Sequence, residues 1–126
     1  MTVPGRLRVL IADDHPGIVR AVSRLLAFDH DVVGSVGNGE ELLRAADSLQ
    51  PDVIVLDVNL PGLDGLKACR RITRADPRVK VIVFTAVDDP DIRRRAKEAG
   101  ASAFVGKHAF DGDLLSAVKG LDADRA

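Results

Sequence analysis

Short runs of aliphatic and β-branched residues alternate with longer stretches whose apolar positions recur every three or four residues, from one end of the chain to the other. Leu7 to Ala12 (LRVLIA) has the apolar character of a buried strand. Asp14-His15-Pro16 then predicts a helix start with proline near its first position. Ile18, Val19, Val22, Leu25 and Leu26 repeat on one face of that helix. Asp31 to Val36 (DVVGSV) predicts a second, weaker strand, and Asn38 a cap for a helix carrying Leu42, Leu43 and Ala46. Asp52 to Leu56 (DVIVL) predicts a third strand that delivers the chain to Asp57. Pro61 and Gly62 supply turn chemistry in the loop Asn59 to Asp64 (NLPGLD). A helix around Leu66 to Thr73 and a fourth strand, Val79 to Phe84 (VKVIVF), come next. Asp88, Asp89 and Pro90 open another helix, closed by Gly100, whose apolar face is thin: Ile92, Ala96 and Ala99. Ala103 to Val105 predicts a short fifth strand, and Phe110, Leu114, Leu115, Val118 and Leu121 a last helix.

Five βα units with strands apolar on both faces predict a parallel sheet covered by helices on each side. Right-handed crossovers make this a doubly wound α/β sandwich. With 126 residues there is room for one domain, read as residues 1–121, and the polar residues 122–126 read as the start of a linker or tail. Hydrophobic residues make up 46% of the chain, enough for a core. The formal net charge of −1 excludes the global basic field that draws proteins to DNA or anionic lipid. Trp and Tyr are absent, which removes them as stacking platforms for nucleic acid. Cys69 is the single thiol, so no intramolecular disulfide can form, as suits a reducing cytoplasm. No signal-peptide stretch and no apolar run of membrane-spanning length is present, so a soluble, cytoplasmic location without a membrane partner is expected.

Ligands of open parallel sheets bind beyond the carboxyl ends of the strands. Asp13 and Asp14 follow the first strand, Asp57 the third, Thr85 ends the fourth and Lys107 follows the fifth. Three carboxylates, a hydroxyl and an ammonium are thus directed to one rim. The acids repel one another unless a hard divalent cation such as Mg²⁺ lies between them. Asp57 is then the natural nucleophile for forming an acyl phosphate. Lys107 offers a compact positive charge to a phosphoryl oxygen and Thr85 a hydrogen bond to another. Each residue alone has a plainer reading: helix start for Asp13 and Asp14, turn residue for Asp57, surface lysine, strand-end threonine. Their joint placement favours the chemical one.

The segments LIADDHPGIV, VLDVNLPGLDG, VFTA and GASAFVGKHA together resemble the response-regulator receiver domain of two-component signalling, from Leu7 to about Leu121. The resemblance implies a flavodoxin-like five-stranded sheet of order 2-1-3-4-5 with five helices, as in the chemotaxis member of the family. It implies Asp57 as phospho-acceptor, Asp13, Asp14 and the backbone carbonyl of Asn59 as ligands, with Asp57, of Mg²⁺ or Mn²⁺, Thr85 as the switch hydroxyl and Lys107 as the phosphoryl-binding lysine. Phe104 falls on the aromatic switch position. Many receivers have Pro after the lysine, with a cis peptide; here His108 follows.

DDHP together with KHA resembles receivers of LuxR/NarL-type transcriptional regulators, which carry a C-terminal helix-turn-helix domain. This sequence stops before such a domain, so DNA binding is not expected of these residues, and an excised fragment is favoured over a free-standing receiver acting through protein contacts or a phosphorelay. The implied partners are a sensor histidine kinase, docking near Ile18 and Val22, and a second copy of the chain on phosphorylation. The protein is then a phospho-acceptor that assists its own phosphorylation and autodephosphorylation, rather than an enzyme acting on others. Asn59 and Val87 flank the site and would tune hydrolysis. The thin helix face at Ile92, Ala96 and Ala99 either shifts cheaply or merely packs closely. The basic run Arg93, Arg94, Arg95, Lys97 reads as a solvated face, with partner docking the alternative. His15 reads as a helix-start residue and Cys69 as packing.

Rival classes fit less well. A haloacid-dehalogenase-type phosphohydrolase would place its nucleophile after the first strand with a second Asp two positions on, whereas the position two after Asp57 is Asn59. An FMN binder would need a Ser/Thr/Gly-rich loop where Asp13 and Asp14 stand.

Overall fold

The computed structural model describes residues 6–87 and 89–124. Strands β1 (Arg8–Ala12), β2 (Asp31–Val36), β3 (Val53–Leu56), β4 (Lys80–Thr85) and β5 (Ala103–Gly106) alternate with helices α1 (Pro16–Ala27), α2 (Gly39–Leu49), α3 (Gly65–Ala75), α4 (Pro90–Glu98) and α5 (Phe110–Asp124). All pairings are parallel, in the order β2-β1-β3-β4-β5. The alternating pattern led one to expect the parallel doubly wound sheet, and the resemblance its flavodoxin-like order. A single 3₁₀ turn, Lys107–Ala109, joins β5 to α5. α5 runs on to Asp124, three residues past Leu121, which is buried in the core. Asp88, expected to help open α4, and the side chain of Phe110, expected on the apolar face of the last helix, lie outside the described residues.

Alternate residues of each strand face opposite sides of the sheet, and two cores result. Leu10, Ile54, Leu56, Val81 and Val83 pack with Leu42 of α2, Cys69 and Ile72 of α3 and Ala96 of α4. On the other face Val9, Ile11, Val55, Ile82 and Phe84 pack with Val22 and Leu26 of α1 and Leu114 and Val118 of α5. Among the described residues no helix is long and apolar enough to cross a membrane.

Three helix starts are fixed by side-chain caps, of which the sequence singles out Asn38 and Asp89, while Asp64 reads there only as the end of a loop. Asn38 Oδ1 accepts a hydrogen bond from Glu41 N–H at 2.9 Å, Asp64 Oδ1 from Leu66 N–H at 2.8 Å and Asp89 Oδ1 from Ile92 N–H at 2.9 Å. Such caps contribute about 1 kcal/mol each. α4 ends at Glu98 with Ala99 as its C-cap, and Gly100 follows at φ +97°, the left-handed conformation that glycine adopts without strain. The Ala99 carbonyl, instead of facing water, accepts from Thr73 Oγ1 at 3.1 Å and from Cys69 Sγ at 3.4 Å, both on α3.

Burial pushes the Cys69 thiol up to about 11. The fold favours the neutral thiol, so the stability this gives is complete below the ordinary value of 9.0 and is lost as pH rises through about 11. We therefore expect the native chain to lose stability, relative to Cys69→Ala, between pH 9 and about 11. Urea midpoints of the two proteins across that range measure it, and parallel pH profiles would contradict it.

Candidate functional site

Parallel register brings the strand ends level. Ala12 pairs with Leu56, and Asp57 N–H donates to the Ala12 carbonyl at 2.9 Å, so Asp13 and Asp57 leave the sheet side by side. Thr85 pairs with Gly106, which sets Lys107 at the same edge. Among the described residues the buried polar side chains are Asp13, Asp57, Thr85 and His30; the first three stand at this edge.

Each buried carboxylate divides its oxygens in the same way. Asp57 Oδ1 accepts from Asn59 N–H at 3.1 Å, and Asp13 Oδ1 from His15 N–H at 2.9 Å, so each is pinned by its own loop. The other oxygens face Lys107, whose Nζ lies 3.1 Å from Asp57 Oδ2 and 2.8 Å from Asp13 Oδ2. The first contact is an aligned hydrogen bond. The second is ionic, and Asp13 Oδ2 is shut off from solvent without an aligned donor. Lys107 also stands 5.9 Å above the centre of the Phe84 ring. Burial by itself would lower the Lys107 ammonium, but its contacts with Asp13 and Asp57 outweigh that and hold it above the ordinary lysine value. The charge is therefore fully present at neutral pH and is lost only on the alkaline side of that value.

Asp14 is more exposed and points into the same space. Ligand atoms of Asp13, Asp14, His15 and Asp57 all lie within 4.8 Å of one another. Oxygen-rich and partly buried, with Asp13 Oδ2 lacking an aligned hydrogen-bond donor, this set fits a hard divalent cation. The structure thus brings together Asp13, Asp14, Asp57 and Lys107. Asn59 occupies the turn beside them through its backbone. Thr85 Oγ1, wholly buried, accepts from Val87 N–H at 3.3 Å. Phe104 is half-buried on β5 beside Val83 of β4.

Two features escaped the sequence. Arg93, read as part of a solvated basic run, places its guanidinium 4.5 Å from the centre of the Phe104 ring. The rest of that run diverges, with Arg94 pairing along the helix with Asp91 and Glu98. His15, read as a helix-start residue, does occupy the α1 N-cap, but its side chain makes no capping bond and turns to the acids.

The loop after Asp57 is clamped against α2 and α3. Gly39 N–H donates to the Pro61 carbonyl at 3.1 Å. A Cβ on Gly65 would lie 2.9 Å from both the Cα and the carbonyl oxygen of Val58 and 3.2 Å from the Asp57 carbonyl oxygen. Backbone cannot yield as a side chain can, so Gly65→Ala should cost about 2 kcal/mol. A chemical denaturation curve indistinguishable from the native one would show that the loop has slack.

Residues 9–119 match the family model described as the response regulator receiver domain. Among curated proteins, the chain is 37% identical over 116 residues to the response regulator GacA of Pseudomonas viridiflava, covering 90% of this chain and 54% of that protein. The chain thus spans about half the length of the curated relatives it matches. A two-component response regulator of the LuxR family from Aurantimonas sp. SI85-9A1 superposes with a TM-score of 0.89 at 30% identity, covering 94% of this chain and 86% of that one. The isolated REC domain of RcsB from Salmonella enterica serovar Typhimurium, solved in the presence of phosphomimetic BeF₃⁻, superposes with a TM-score of 0.87 at 27% identity over 94% of this chain and 89% of that one.

Proposed function

We infer, on the premise that this chain belongs to the response regulator receiver domain family, that Asp57 accepts a phosphoryl group from a partner histidine kinase and that the domain changes its surface in response. One observation carries the reading: a buried carboxylate at the carboxyl edge of the sheet, held by its own loop on one oxygen and facing a partly buried ammonium at 3.1 Å on the other.

In the reaction, a carboxylate oxygen of Asp57 attacks phosphorus and the bond to the donor nitrogen breaks. Asn59 N–H keeps the carboxylate oriented during the attack. Lys107 is already within reach and exchanges its contact with Asp57 for one with a phosphoryl oxygen, where its charge is most useful. Asp13, Asp14 and Asp57, with the Asn59 carbonyl, would hold Mg²⁺ or Mn²⁺. When bound, the ion supplies charge neutralisation for the phosphoryl oxygens. The same residues would later favour hydrolysis, resetting the domain.

The switch follows from the partners of Thr85. Its hydroxyl spends its acceptor capacity on a local amide, and a phosphoryl oxygen within reach is a better partner for its proton. Movement of Thr85 vacates volume beside β5, where the Phe104 ring stands. Having no hydroxyl, Phe104 would respond by packing alone. Arg93 on its ring couples that response to α4.

Likeness to LuxR-family proteins supports an output through a C-terminal DNA-binding domain, with pairing of two phosphorylated copies as the intermediate step. Intact-mass measurement after exposure to acetyl phosphate tests the chemistry. We expect one added phosphoryl group with Mg²⁺ and almost none once a chelator has removed it. A chain that stays at its original mass in Mg²⁺ would instead be an interaction module.

A further inference from the structure

We propose that His15 is an additional ligand of the divalent cation at the Asp13–Asp14–Asp57 cluster, and that its imidazole makes this site favour borderline transition-metal ions over Mg²⁺. The inference rests on the cation site proposed above and concerns which ions that site selects.

The side chain has no structural task at the helix start, since α1 receives no capping bond from it. Its Nδ1 lies 3.0 Å from Asp13 Oδ1 and 3.1 Å from Asp14 Oδ1. Metal–ligand bonds of about 2.1 Å in an octahedron set adjacent ligand atoms about 3.0 Å apart and opposite ones about 4.2 Å apart. Both observed separations equal the adjacent edge, and the 4.8 Å limit on the whole cluster accommodates the opposite pairs.

Without a cation, His15 Nδ1 and Asp13 Oδ1 are joined by a hydrogen bond at 3.0 Å, which cation binding would replace. Nδ1 can donate one proton but faces two oxygens. Asp13 Oδ1 already receives the His15 backbone N–H at 2.9 Å. The ring is well exposed, with 65% of the side chain accessible, so on cation binding Nε2 can carry the imidazole proton toward water while the Nδ1 lone pair faces the ion. Mg²⁺ draws little from a nitrogen donor, whereas Co²⁺, Ni²⁺ and Zn²⁺ are held well by imidazole beside carboxylates.

Calorimetric titration of the full chain with Mg²⁺ and, separately, with Co²⁺ tests this, and the visible absorption of bound Co²⁺ gives a second readout. We expect His15→Ala to weaken Co²⁺ about tenfold while Mg²⁺ changes less than about twofold, and to alter the Co²⁺ spectrum. His15→Gln, which keeps bulk and polarity, should bind like His15→Ala. Equal losses for both ions, or none for either, would overturn the inference and leave the Mg²⁺ site standing. Co²⁺ binding that persists in Asp13→Asn would place the ion elsewhere and overturn it too. If native protein bound neither ion, the cation site itself would fall, and this inference with it.

Discussion

Asp57→Asn is expected to take up no phosphoryl group under conditions that label the native chain completely. The substitution preserves shape, and the retained Oδ1 can still accept from Asn59 N–H, so loop and fold should persist. What disappears is the anionic nucleophile, and an amide oxygen cannot form the acyl phosphate. The loss is of the whole reaction rather than of a rate factor. Peptide mapping adds a sharper control, because Asp13 and Asp14 lie in the same cluster. Label recovered on either of them, or undiminished label on Asp57→Asn, would remove Asp57 from its assigned place.

Lys107→Ala should slow phosphorylation about 10²- to 10³-fold, the usual consequence of deleting a group that meets developing charge. It should also reveal what the lysine does at rest. Asp13 and Asp57 have side chains 3% exposed, and one ammonium between them is the counter-charge that their inward oxygens share. Without it two buried carboxylates confront each other, at a cost of about 3 kcal/mol in the presence of a chelator. A divalent cation supplies the missing charge, so Mg²⁺ should restore much of that stability while leaving the reaction slow. Thermal melts with and without Mg²⁺, beside the phosphorylation time course, separate the two effects. A variant as stable as native protein in chelator would mean that the acids are screened by water.

Much of this architecture can be read from the chain. Strands buried on both faces leave uninterrupted apolar runs, which is why β1, β3 and β4 stood out, whereas the edge strand β2, with no fully buried residue, was the weaker signal although its bounds agree in sequence and structure. Asn38 and Asp89 act on amides three residues away, so their capping is a local matter that sequence displays. The site was legible to the extent that strand ends define it: Asp13, Asp57, Thr85 and Lys107 arrive at one edge because the register is parallel. Details that depend on side-chain direction were not legible. Sequence assigned Lys107 to a phosphoryl oxygen and could not show that it bridges two acids beforehand. Nor could it show that Arg93 leaves its basic neighbours to cover Phe104, since that depends on how α4 is rotated over β5. The His15 ring could equally have turned to solvent.

The Ala99 carbonyl, shared by Thr73 and Cys69, has a mechanical consequence. It makes the rear of α4 a pivot fastened to α3, so a displacement that keeps those bonds is a swing of the front end and not a slide of the whole rod. Nine residues make a lever about 13 Å long, and a swing of roughly 10° carries its tip about 2 Å. Arg93 sits mid-helix, about 9 Å from the pivot, so the same swing moves it about 1.6 Å, enough to loosen its contact with the ring beneath.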